Sequence, residues 1–342
     1  MLSVVSFNIN GGKELLDSFF ETNIKDKVNE NKKKRLYTNK INPDLIFLQE
    51  FSFKNNDKFY LKKEYSCKIH FLDKLDNINN LDKLDNINNL DKLDNIKRYN
   101  QFLELFTKNN NISIKNNKLY IQSYKYNNYI VFFGIYVGQY KVYNYEFKNA
   151  IDIKEYKKHE FSTHLVSLIN KNINITNVHF FIINIRPLIG IEINDIIYLN
   201  LHMLSTKELD KQKDILNRLV IYLRKKVNKQ FFIIGDFNMN LSNSNVKKYF
   251  NDELKVKYIE PNSFTHKTNK TKIDYLIYSN NIENNLINKE LINYREIYDH
   301  IPQYFYKDLS QTNIFKDVTN TLGGYYLKYL KYKLKYNNLK YI

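Results

Sequence analysis

Asp236 and Asn238 stand two apart after the apolar run Phe231-Phe-Ile-Ile234, which Gly235 closes. Four apolar residues ending in glycine predict a buried central strand followed by a sharp turn. Alternate side chains of an extended chain point the same way, so Asp236 and Asn238 project together from the strand's C-terminal end. Layered sheets carry their chemistry at that end. A carboxylate beside a carboxamide suits a hard cation, an attacking water and a phosphate oxygen. A strand running into a plain polar turn has the same letters, so the pair needs partners elsewhere in the chain.

Such partners recur at the ends or starts of other apolar runs: Asn8, Glu50, His202, Asp274, Asp299 and His300. Singly, Asn8 reads as a turn residue, Glu50 as a solvated strand end and His202 as a hydrogen-bonded core histidine. Asp299-His300 before Pro302 reads as a turn. Together they are the set that phosphoester hydrolysis requires. Carboxylates hold Mg²⁺ through one or two direct ligands plus water. The metal offsets charge on the phosphoryl oxygens, while histidines and amides stabilise the transition state.

The elements that must position these residues are strands over Leu2–Phe7, Leu45–Leu48, Tyr129–Phe133, Phe161–Ile169, Phe180–Ile185, Ile196–Leu201, Ile273–Tyr278 and Gln303–Tyr306, besides Phe231–Ile234. A Lys-rich helix is predicted over Ile24–Lys40. Ser205-Thr-Lys-Glu208 has the form of a capping box opening another, with Leu209, Leu216, Leu219, Leu223 and Val227 on one side. Strands interleaved with helices predict a layered α/β or α+β domain over 1–308. At 342 residues the chain is long enough for a large core.

Three copies, the last partial, of Leu-Asp-Lys-Leu-Asp-Asn-Ile-Asn-Asn fill 72–96. Their apolar residues fall at every third position, a step that drifts around a helix and defeats strand alternation. This predicts a duplicated surface insertion. Net charge is +17, from 53 basic and 36 acidic residues, which favours polyanionic partners. Abundant Lys, Asn, Ile and Tyr use A/T-rich codons, so genome bias supplies part of that basicity. Cys67 is the sole cysteine, which excludes an intrachain disulfide and a cysteine-based zinc cluster. No signal-peptide pattern opens the sequence, and 178–201 is too interrupted to span a bilayer. A soluble, intracellular, monomeric protein is the expectation.

Ser6-Phe-Asn-Ile-Asn10, Leu48-Gln-Glu50, Asn200-Leu-His202, Gly235-Asp-Phe-Asn238, Ile273-Asp-Tyr275 and Asp299-His-Ile-Pro302 follow one another in an order that resembles the endonuclease/exonuclease/phosphatase superfamily, with its deoxyribonuclease I-like fold. The resemblance implies an α+β, four-layer α/β/β/α sandwich, two mixed β-sheets face to face with helices outside. It implies Mg²⁺ or Mn²⁺ on Glu50, with Asn8 and Asp299 beside it. Asp236 would position or deprotonate the water and Asn238 would hold the phosphate. His300, oriented by Asp274, would contact the scissile phosphate, and His202 would bind phosphate or assist the leaving group. Whether Asp236 or His300 takes the proton stays open. Tyr298 stands where the family usually has Ser. The motifs of apurinic endonucleases and inositol polyphosphate 5-phosphatases are missing. His202 resembles the deoxyribonuclease, deadenylase, sphingomyelinase and tyrosyl-DNA phosphodiesterase branches.

Residues 309–342 form a linker and a basic Tyr/Lys-rich tail, with Leu327, Leu330 and Leu334 on one side of a predicted helix. Gly324 to Tyr336 resembles a C-terminal segment of Mimivirus-like giant-virus proteins. That implies a host-cytoplasmic or virion setting and a viral partner for the tail. The sequence thus favours a Mg²⁺-dependent phosphodiesterase acting on nucleic acid. The alternatives are a lipid or small-molecule phosphoesterase, for which a membrane partner would matter, and a non-catalytic virion protein retaining the fold.

Overall fold

Alternating β-branched and aromatic runs, punctuated by asparagine, make the described residues chiefly strand. The computed structural model describes residues 2–9, 43–51, 60–72, 104, 106–108, 110–134, 164–183, 186–203, 205, 209–282, 286–290 and 299–307. The predicted helix at 24–40, the repeats beyond Leu72 and the tail at 309–342 lie outside these residues.

The described strands are β1 (Val4–Asn8), β2 (Leu45–Phe51), β3 (Tyr60–Phe71), β4 (Ile112–Lys115), β5 (Lys118–Tyr126), β6 (Tyr129–Gly134), β7 (His164–Asn170), β8 (Asn177–Ile183), β9 (Arg186–Ile193), β10 (Ile196–His202), β11 (Gln230–Asp236), β12 (Lys257–Ile259), β13 (Asp274–Tyr278), β14 (Leu286–Glu290) and β15 (Gln303–Lys307). The asparagines have a use in the hairpins. Asn116-Asn117 between β4 and β5, and Asn194-Asp195 between β9 and β10, all take positive φ. That is the two-residue turn whose twist matches the strands it joins.

The strands run in one hydrogen-bonded order, β12-β13-β11-β10-β9-β8-β3-β5-β6-β7-β2-β1-β15-β14, with β4 on β5. Parallel pairs (β1/β2, β10/β11, β3/β8) sit among antiparallel ones. The order folds back on itself. Asn200 on β10 donates to Val166 O on β7 and Leu48 O on β2, at 3.0 and 3.2 Å, although these strands are far apart along the ladder. Two mixed halves therefore face one another, but they are one continuous ladder rather than the two separate sheets expected. The long β3 is the reason. It pairs with β5 from Tyr60 to Cys67 and with β8 from Cys67 to Phe71, with a register shift between Leu61 and Glu64. One strand thus serves both halves and changes partner at Cys67.

The inner faces hold the core, including Phe47, Phe132, Phe180, Phe232 and Ile234. Outside one half lies α1 (Leu209–Tyr222), extended by a π-helical turn to Val227. It buries Ile215, Leu216, Leu219, Val220 and Leu223. Asn228 closes it in the left-handed conformation, its N–H donating to Leu223 O. Helix α2 (Ser244–Lys248), capped by Asn243, continues into a second π-helical turn to Leu254. Arg224 donates to Leu254 O and Lys255 O, tying the two helical ends together. The described residues thus contain one outer helical layer.

Sequence patterning placed β8 three residues late and missed β9 altogether. Pro187 and Gly190 broke its apolar pattern, yet Pro187 lies second in the strand, and a Cβ at Gly190 would come within 2.9 Å of Ile197.

Candidate active site

Register alone assembles half of the site. His202 ends β10 and is the parallel partner of Asp236, which ends β11. Asp236 is in turn the antiparallel partner of Asp274, which begins β13. Three candidate residues therefore stand in one row across three neighbouring strands. The facing half delivers Asn8 at the end of β1, paired in register with Gln49 of β2, and Glu50 follows.

Gly235 makes the row possible. Its φ is +146°, and a Cβ there would lie 1.9 Å from Leu201 O and 3.2 Å from Gln49 Nε2. The backbone of β11 thus comes into contact with both β10 and the facing half just before Asp236. Glu50 (φ 54°) and Asn238 (φ 50°) both hold left-handed backbone, a conformation that costs free energy for residues other than glycine and gathers at functional sites.

Asp236 is the hub. Its Oδ1 accepts the Asn238 backbone N–H at 2.8 Å, and its Oδ2 accepts Asn8 Nδ2 at 3.0 Å. The same Asn8 amide donates to Glu50 Oε1 at 3.2 Å. His202 Nε2 lies 3.3 Å from Glu50 Oε1 and 3.8 Å from Asp236 Oδ2. His300 Nε2 is also 3.8 Å from Asp236 Oδ2, while its Nδ1 is 2.8 Å from Asp274 Oδ2. Asp274 is itself placed by Thr265, whose Oγ1 accepts the N–H groups of Ile273 and Asp274, both at 3.0 Å.

Charge follows from this packing. Burial, then the Asp274 carboxylate, raises the pKa of Asp236, while His300, Asn8 and the Asn238 N–H oppose that rise. For His300, burial alone would lower the pKa. The Asp274 carboxylate, by charge and hydrogen bond, with Asp236 and Glu50 behind it, overcomes burial and raises the pKa to about 9. At neutral pH His300 is thus an imidazolium held between two carboxylates.

Asp236, Asp274 and His300 present ligand atoms within 4.8 Å of one another, a group that could hold a metal ion. Glu50, with Asn8 beside it, offers a second and more open position with hard oxygen donors. The Glu50 side chain is 25% exposed against 2% for Asp236, so Glu50 opens to solvent. Two carboxylates sharing one neutral amide would gain from a cation between them.

Of the residues singled out in the sequence, Asn8, Glu50, His202, Asp236, Asp274 and His300 lie together. Asn238 is also present, and one of its amide hydrogens goes to Met203 O at 2.9 Å, which pins the loop after His202. Asp299 stands beside His300, its carbonyl accepting the Lys267 N–H at 2.7 Å and its carboxylate acting on His266. Tyr298 lies outside the described residues.

The sequence reading missed Gln49 and Asn200. Gln49 Nε2 donates to Asn200 Oδ1 at 2.7 Å, both fully buried, and this bond clamps the strand of Glu50 to the strand of His202. It also missed Thr265 and Gln212, whose Nε2 donates to Asn238 O at 3.0 Å. The one signal was position, since Gln49 is next to Glu50 and Asn200 lies two residues before His202, on the same face of β10.

No protein-family model matches the sequence, and no curated protein matches it. Solved structures similar to the chain include the cytolethal distending toxin from Actinobacillus actinomycetemcomitans, at 12% identity over 90% of this chain and 98% of that one, TM-score 0.48. An endonuclease/exonuclease/phosphatase family protein from Leptotrichia buccalis matches at 14% over 90% and 100%, TM-score 0.44. A humanized TDP2 of D. rerio matches at 13% over 90% and 99%, TM-score 0.45.

Proposed function

We propose that this chain is a divalent-metal-dependent phosphodiesterase acting on nucleic acid. The observation that carries the reading is the Asp236 hub: Asn8 Nδ2 and the Asn238 N–H reach its carboxylate at 3.0 and 2.8 Å, and His202 Nε2 and His300 Nε2 each stand 3.8 Å away. In charge, a phosphodiester suits the group formed by Glu50, His202 and His300 around Asp236. Two histidine donors face it, and a carboxylate with remaining lone pairs stands at the base.

Glu50, with the Asn8 amide beside it, would hold Mg²⁺ or Mn²⁺, which when bound supplies Lewis acidity to the phosphoryl oxygens. His300 is the donor to the scissile phosphate rather than the base, because its Nδ1–H is committed to Asp274 and its Nε2–H is retained up to pH of about 9. Asp236 is the base. Its lone pairs not used by Asn8 and the Asn238 N–H accept a proton from water, and its raised pKa brings it nearer the working pH. His202 donates to a phosphate or leaving-group oxygen from the opposite side of Asp236. Asn238 holds the loop against Met203. The basic balance of the chain favours a nucleic-acid strand over a neutral-headed lipid.

The purified protein is expected to cleave bis-p-nitrophenyl phosphate and DNA with Mg²⁺ or Mn²⁺. Glu50→Ala and His300→Ala should each lose about a hundredfold or more in kcat. Full activity in both variants would overturn the mechanism.

A further inference from the structure

A third histidine stands at this site outside the machinery described above. His266 opens the hairpin His266-Lys-Thr-Asn-Lys-Thr271 between Thr265 and β13. Its ring meets His300 edge to face, with centroids 4.9 Å apart and planes at 79°, and the two residues form a backbone bridge. The hairpin is firmly attached. His266 N–H donates to Thr271 O at 3.0 Å, Lys267 N–H to Asp299 O at 2.7 Å and Ile301 N–H to Thr265 O at 2.8 Å. A ligand held by His266 would thus be fixed relative to His300.

Its chemistry is set by one contact. The Asn269 backbone N–H donates to His266 Nδ1 at 3.2 Å. An Nδ1 that accepts cannot carry a proton, so the neutral ring has its hydrogen on Nε2. His266 is half-buried, and no contact among the described residues engages Nε2. A neutral N–H donor therefore sits beside the His300 imidazolium, within the field of the Asp274 and Asp299 carboxylates. Further along the hairpin, Lys270 is exposed. Lys272 is turned to Glu260 at 2.9 Å, a carboxylate it shares with Lys247.

We propose that His266 Nε2–H and Lys270 form a subsite for a second phosphate of the substrate, next to the one at His300. The ligand class is an anionic strand with consecutive phosphodiesters, not an isolated phosphate ester. This rests on the phosphodiesterase reading and adds to it the element that recognises the chain beyond the scissile bond. His266 contributes a hydrogen bond without charge, and Lys270 contributes charge.

The two contributions separate by salt. Binding of a fluorescein-labelled single-stranded oligonucleotide to the full chain is measured by anisotropy in EDTA, across a salt series. His266→Phe, which keeps an aromatic ring against His300, should weaken binding about tenfold with the slope against log salt unchanged. His266→Gln, whose amide can both accept from Asn269 and donate outward, should restore binding to near the wild-type value. Lys270→Ala should flatten the slope by about 0.7. Binding by His266→Phe equal to wild type, or a His266→Gln variant as weak as His266→Phe, overturns the proposal. A wild-type protein that hydrolyses bis-p-nitrophenyl phosphate yet binds no oligonucleotide overturns the subsite while the hydrolase stands. Oligonucleotide binding that depends on His266 in a protein inert towards every phosphodiester does the reverse.

Discussion

At the residue scale the site is an arrangement of opposed charges whose titrations have predictable signs. Asp236 has a raised pKa, so catalysis should climb with pH above the usual carboxylate range as its carboxyl ionises. His300 has a raised pKa of about 9. Its donor capacity, and the stability that comes from pairing with Asp274, are both complete below the unfolded value of about 6.5. Both are lost as pH rises through about 9. A bell-shaped kcat/KM profile is expected. Asp274→Asn removes the largest influence raising His300, so the alkaline limb should move down by about one pH unit or more. An unmoved limb would mean that His300 does not set it.

At the scale of elements, the decisive contact is the approach of β11 to β10 at Gly235. An added Cβ there meets a backbone carbonyl at 1.9 Å, at a φ of +146°. Neither fault can be relieved by a side chain turning aside. Gly235→Ala is therefore expected to destabilise the fold by about 3 kcal/mol or more, read as a lower midpoint in urea denaturation. Retention of the wild-type midpoint would show that β11 can back away from β10.

This same level separates what the sequence disclosed from what it did not. Residues at strand ends were legible, because an apolar run stopping at Asp236, His202 or Glu50 is a local pattern. The Gln49–Asn200 clamp was not, since its partners lie 151 positions apart and meet only when the sheet folds back. His266 was hidden for another reason. It lies in a polar run of Lys, Thr and Asn with no apolar frame, and its significance comes from His300 packing against it. The Asn-Asn and Asn-Asp hairpin turns escaped notice because asparagine is common throughout the chain.

At the scale of the whole molecule, stability against acid depends on a buried chain of groups remote from catalysis. Tyr222 OH lies 3.3 Å from His70 Nδ1, His70 Nε2 is 2.9 Å from His179 Nδ1, and His179 Nε2 is 2.8 Å from Glu192 Oε2. Glu192 also takes Lys229 at 2.6 Å and Asn177 at 3.0 Å. This links α1 with β3, β8 and β9. Burial, then His179 and Lys68, lowers the pKa of His70 to about 3, and burial also lowers that of His179 against the pull of Glu192. The unfolded chain binds protons at these histidines near pH 6.5 and the native one does not, so stability must fall as pH drops below about 6.5. The melting temperature should be lower by about 5 °C or more at pH 4.5 than at pH 7. His70→Phe should reduce that loss, and an undiminished acid sensitivity in this variant would exclude His70 as its source.

The partner change of β3 at Cys67 has a consequence for how the molecule comes apart. A sandwich of two independent sheets can open like a book, each leaf keeping its own backbone bonds. Here the leaves share a spine. Separating them means breaking β3 from β5 or from β8, so neither half can melt and leave the other with all its edges satisfied. The slowest-exchanging amides should consequently fall in a single class running through both halves, and the catalytic row, fed by both, should vanish in the same transition as the core.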